Sequence, residues 1–427
     1  TWQLGTSNLD LSGAKLELGG TVTLDNVLTN NQTTFKLGED STVTRDTGFT
    51  LGGLDLNNYT FTLGSATTHL TVDLGESSDT SSASSDNETD SVLTPGTLAT
   101  QGADLTIVGG TPNLTSGTTI NSTGGKFSFA GGITIDGAEI SLQDTTLAVG
   151  SSLTKTGGTL TLSGSDLELI SDLSLNSDTD LAFTQLKLED NHLDLQTVPS
   201  FTVDQELVLD NANEKLTWSD NTELILSGGI QLGSNGSLDW KNPDNLEIGG
   251  ITLNGGSLTI GDTSAQTFDL DSGIVLQANS TINFKSGSTL NYSGPALAVA
   301  KALNLEGSGQ MQNTNALNLS GANGILYLSG ISLANVKTSA DNLGLSVIGS
   351  STVTDFSVSN LTPVSISSST NLSGSITIDT GGTIELNDGG TLAADSSLAG
   401  GTLKVSSNSL TVSGEVSIAG NSIIDVA

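Results

Sequence analysis

The side chains able to do chemistry are few and scattered along this chain. Its only two histidines, His69 and His192, are far apart in sequence, and neither has a partner at metal-ligand spacing. Each therefore reads as an ordinary surface or strand residue. A uronate lyase needs a basic side chain to abstract a proton, with cations to clamp the acid. The one arginine, Arg45, sits beside Asp46 and reads as a surface ion pair. Glycoside hydrolysis needs two carboxylates held about 5 to 10 Å apart across a groove. The adjacent acids Glu39/Asp40 and Glu189/Asp190 fall at corners between strands and read as solvated. There is no Gly-x-Ser-x-Gly element and no phosphate-binding loop. With no cysteine in the sequence, thiol catalysis, disulfides and Cys-ligated zinc are excluded. The expectation is a protein that is not an enzyme, with no catalytic, cofactor-binding or metal residue to name. Structural divalent cations such as calcium would find acids here, but the nine-residue Gly-rich calcium repeat is absent and no ligands are assigned.

The elements that would carry any site are short strands. From Lys126 onward, apolar residues alternate in i, i+2 pairs: Phe127/Phe129, Ile133/Ile135, Ile140/Leu142, Leu147/Val149, Leu160/Leu162 and Leu167/Leu169. Such pairs turn one face of a strand inward. Strands follow one another every 6 or 7 residues, and every third returns after about 20, as in Phe127, Leu147, Leu167; Ile133, Leu153, Leu173; and Ile140, Leu160. An earlier phase runs Leu9, Leu16, Val22, then Leu28, Phe35, Val43, then Phe49, Leu54, Phe61. Downstream the return lengthens to about 22, through Leu186, Leu207, Ile230 and Leu193, Leu216, Leu238. Gly19-Gly20, Gly131-Gly132, Gly157-Gly158 and Gly249-Gly250 supply corners that tolerate φ > 0.

Strands this short, joined by corners of two to four residues, pair in parallel only by stacking on their counterparts one coil later. The predicted fold is all-β: a right-handed parallel β-solenoid with three short strands per coil of about 20–22 residues. The spacing drifts where a left-handed hexapeptide helix would keep a strict period. Residues 1–427 are expected to form one continuous solenoid, interrupted at 76–90 by an acidic, Ser/Asp-rich loop insertion that holds no Leu, Ile, Val or aromatic residue. The Ala-rich run Pro295 to Leu303 reads as either a short helix or another strand.

Composition agrees with a thin aliphatic core. Hydrophobic residues make up 35% and aromatics only 4%, too few for a core built on rings. The formal charge of -34 rules against nucleic acid and against anionic membranes, and no run of apolar residues is long enough to insert in a bilayer. Outward positions alternate acids with Lys, Ser or Thr from coil to coil. Glu168 is expected beside Lys187, and Asp194 between Ser174 and Thr217, because like charges about 5 Å apart repel by roughly 1 kcal/mol even in water. Thr-x-Thr pairs such as Thr21/Thr23 and Thr159/Thr161 would suit ice only as a flat array on one face, and along the sequence they do not recur every coil. Trp218 and Trp240, one coil apart in phase, read as core, or as flanks of a sugar-binding groove.

Segments such as GGTLTLSGSDLEL (Gly157 to Leu169) and GGTLKVSSNSLTVSGEVSI (Gly400 to Ile418) resemble the β-helices of bacterial filamentous-haemagglutinin-like proteins and autotransporter passengers. The resemblance implies an extracellular, cell-surface bacterial protein that works in adhesion or in building a biofilm matrix. It would be a segment of a surface adhesin or a fibre-forming subunit stacking end to end. Its partners would be copies of itself in a head-to-tail filament, or host and neighbouring cell-surface molecules, glycans among them. The alternative is a β-helix that binds or degrades polysaccharide.

Overall fold

The computed structural model describes residues 9–24, 27–30, 32–44, 48–63, 69–73, 96–313, 316–338, 343–348, 351–358, 363–367, 371–387, 390–392, 396–406 and 410–426. Within these the chain is a β-solenoid of short strands with parallel ladder pairing; its one helical element is the 3-10 turn Pro243–Asn245. Its contacts cluster in two compact units, one of residues 1–205 and 216–224, the other of residues 206–215 and 225–427.

In the first unit, an eight-stranded and an eleven-stranded sheet carry the coil. Each turn lays down three strands, for example Lys126–Phe129, Ile133–Asp136 and Glu139–Gln143. Alternation decides which side chains stack. Phe127 pairs with Leu147 and Leu147 with Leu167, while Ile120, Ile140 and Leu160 form a second ladder. Most of these side chains are almost wholly buried. In the second unit, two ten-stranded sheets and a four-stranded one repeat the plan. Ladders such as Leu207, Ile230, Ile251, Ile274 and Leu258, Ile282, Leu305, Leu328 are buried in the same way. The run from Pro295 contributes strands Leu297–Ala298 and Ala302–Gly307 and no helix.

Register departs from equal spacing where a corner gains residues. Leu153 lies opposite Leu175, not Leu173, because the ladder shifts between Val149 and Ser151; Ser151 adopts a positive φ of 60° there. Val43 likewise meets Leu63 in place of Phe61; Leu9 meets Val27 in place of Leu28, a one-residue slip the other way, so that Val27 is buried and Leu28 exposed. The acidic stretch 76–90 lies outside the described residues, as does Arg45. The strands on either side of it are direct neighbours: Thr60–Leu63 pairs with Gly96–Gln101, and His69–Asp73 with Asp104–Val108.

Corners recur with one device. A polar side chain accepts the backbone N–H at the equivalent corner of a neighbouring coil, satisfying a donor that the bend takes out of the ladder. Ser280 Oγ takes Gly255 N–H at 2.9 Å, Ser351 Oγ takes Gly330 N–H at 2.7 Å, and Ser396 Oγ takes Ile376 N–H at 3.1 Å. Asp40 and Asp104 carboxylates do the same for Thr60 and Lys126, each at 2.8 Å.

Candidate functional site

Outward-facing residues of the eleven-stranded sheet form a patch of mixed charge in the first unit. Parallel register places His69, Asp104, Lys126, Thr146 and Asp166 in one column, and Thr106, Ser128, Ala148, Glu168 and Lys187 in the next. Asp104 holds His69 Nδ1 at 3.5 Å, and Thr106 Oγ1 meets its Nε2 at 3.3 Å. The Lys126 ammonium donates to Glu168 two strands along the ladder at 2.6 Å, and Lys187 faces Asp166 at 3.6 Å. Glu168 and Lys187 are in register, as charge alternation requires.

His192 lies further along the same sheet. Its backbone N–H donates to Asp172 at 2.9 Å, and its Nε2 meets Thr217 Oγ1 at 2.8 Å. Thr217 donates in turn to Asp194 at 2.8 Å, and Asp194 pairs with Ser174, so the expected neighbourhood of Asp194 is present. This trio is not wired as a nucleophile with its base. The carboxylate engages the hydroxyl, whereas a catalytic triad places it on the far imidazole nitrogen. Among the described residues, no group of three or more His, Asp or Glu converges as a metal site.

The adjacent acids sit where the spacing put them. Glu189 and Asp190 occupy a corner with positive φ of 51° and 66°, and the Glu189 carbonyl accepts Asn191 Nδ2 at 2.8 Å. Glu39 and Asp40 lie exposed at a register shift within Thr34–Thr44, with Glu39 folded over Gly19. Trp240 is core: it is buried, edge-on to Phe268 at 5.3 Å, and donates its indole N–H to the Asn242 carbonyl at 2.9 Å. Trp218 shares the inward parity of Leu216 and is half-buried. A small void in the first unit is lined by Ile120, Phe127, Phe129, Ile133 and Leu160 among other apolar residues. It offers no polar group to orient a substrate.

One charged residue lies where the periodicity demands an aliphatic one. Lys155 stacks between Ile135 and Ser177 on the inward side, its side chain only 2% exposed, and its ammonium donates to Asp178. That hydrogen bond is the main cause holding the Asp178 carboxyl below its ordinary value. Sequence reasoning passed over this pair, although the i, i+2 relation to Leu153 already assigns Lys155 inward parity.

The class this architecture defines is the parallel β-solenoid. Comparison with known proteins finds no matching family, no curated relative and no matching solved structure.

Proposed function

We propose that this chain is a non-catalytic, extracellular structural or adhesive β-solenoid, a segment of a bacterial surface adhesin or of a fibre-forming subunit. The observation that carries the reading is the set of regular outward columns, such as Thr106, Ser128, Ala148, Glu168 and Lys187, stacked in register coil after coil. A surface repeated in this way presents the same contacts to a partner, or to another copy, many times over.

Electron microscopy and sedimentation of the full chain over a range of concentrations test this. End-to-end particles that lengthen with concentration are expected. A compact monomer at every concentration, with no retention on cells or on a glycan surface, would overturn the proposal.

A further inference from the structure

Beside a charged strip of Glu17, Lys36 and Asp55, the outward face of the eight-stranded sheet carries a hydroxyl-rich array. Pairing aligns Thr21 with Thr42 and Thr42 with Thr62. The same column continues through Ala99, Asn121 and Ser141 to Thr161. Beside it runs a second column, Thr60, Thr97, Thr119, Glu139 and Thr159. A third begins with Thr23 and Thr44, whose hydroxyls meet at 3.2 Å. The linear sequence hides this array, since the interval from Thr62 to Ala99 spans the acidic stretch while the other intervals do not.

Three properties of the array point to one partner. First, between Thr21 and Thr161 and between Thr60 and Thr159 these columns contain one charged residue, Glu139, with Asp40 next in register beyond Thr60, on a chain of formal charge -34. Second, they are two-dimensional and regular: parallel strands stack about 4.8 Å apart, and same-face residues repeat about every 6.6 Å along a strand. Those two repeats are near the oxygen spacings on faces of hexagonal ice. Third, threonine's branched Cβ restricts χ1, so methyl and hydroxyl groups are presented in fixed orientation rather than as a mobile brush. A crystalline polysaccharide would ask for aromatic platforms to stack its rings, and these columns hold none.

We infer that this threonine-rich face binds ice, by ordering a layer of water that joins its hydroxyls and methyls to the crystal. The inference goes beyond the adhesive reading and does not depend on it.

The test is partition of the full chain into slowly grown ice, with microcrystalline cellulose and chitin pull-downs in parallel. The wild-type chain is expected to enrich in the ice fraction. Thr62→Lys and Thr119→Lys, made singly and together, are expected to abolish that enrichment while the circular dichroism spectrum is unchanged. The single variants provide the readout if the double one does not fold. Asn283→Lys, on an outward strand of the second unit, is expected to enrich like wild type. Exclusion of the wild-type chain from ice, retention by the threonine variants, equal loss in Asn283→Lys, or binding to the polysaccharides in place of ice would each overturn the inference.

Discussion

The buried ammonium of Lys155 is hydrogen-bonded to the carboxylate of Asp178, which is 48% exposed, so one ion of the pair is dry and the other wet. Removing the wet partner strands the dry one, whereas replacing the dry one with an apolar residue of similar length removes the problem. Asp178→Asn is therefore expected to lower the thermal midpoint at neutral pH, and Lys155→Met to preserve or raise it. The sign with pH follows from the depressed Asp178 carboxyl, whose first cause is the Lys155 hydrogen bond. Its stabilisation is present above the unfolded carboxylate value of about 3.9 and is lost as pH falls through the lower folded value. Melting curves at neutral and strongly acidic pH should show the gap between wild type and Asp178→Asn closing in acid. A gap that persists there assigns the effect to something other than the pair.

Gly158 has a φ of +68°, and a Cβ built on it would lie 2.0 Å from the Ala138 carbonyl oxygen of the coil below. Gly13 has a similar φ of +76°, with its nearest neighbour 3.7 Å away. Gly158→Ala thus combines backbone strain with a main-chain clash, while Gly13→Ala meets only the strain, about 1 to 3 kcal/mol. Denaturant titration should rank Gly158→Ala as the more destabilised.

Leu167 is fully buried between Leu147 and Leu186. Leu167→Ala is expected to cost about 2 to 5 kcal/mol, a transfer loss plus a cavity that flanking rungs cannot close. Val275, 52% exposed at the outward middle position of Ile274–Leu276, should tolerate Ala to within about 0.5 kcal/mol. Chemical denaturation of the two variants decides whether burial along a ladder governs stability.

Among the described residues, Lys126 has the shortest ion pair of the surface lysines, at 2.6 Å from Glu168, yet both side chains reach solvent. Lys126→Ala is expected to cost less than about 1 kcal/mol, and added salt should erase the difference. A large, salt-insensitive loss would show that the charge ladder organises the sheet.

Much of the fold was legible because parity and return interval are both written in the apolar residues. Phe127, Leu147 and Leu167 could be aligned by counting, and the alignment holds. Counting fails where a corner gains residues without changing parity, which is why Leu173 stood in for Leu175 and Phe61 for Leu63. The hydroxyl columns were hidden by one interval. Thr21, Thr42 and Thr62 already return at the coil period, but the next rung, Ala99, follows only after the long interval before Gly96, so Thr161 is not phased with them by counting. Lys155 was missed because a lysine is habitually assigned to water, although its parity with Leu153 already said otherwise.

In the second unit, parallel pairing makes the two edges of every rung different surfaces: one presents Leu403 and its neighbours to the preceding strand, the other to the following one. Any association between copies in ladder register is thus heterologous, and it has a direction. It cannot close as a two-fold dimer, since an edge of this kind is not its own complement. Assembly by that route is polar, and a short soluble chain that mimics the facing edge would act as a chain terminator.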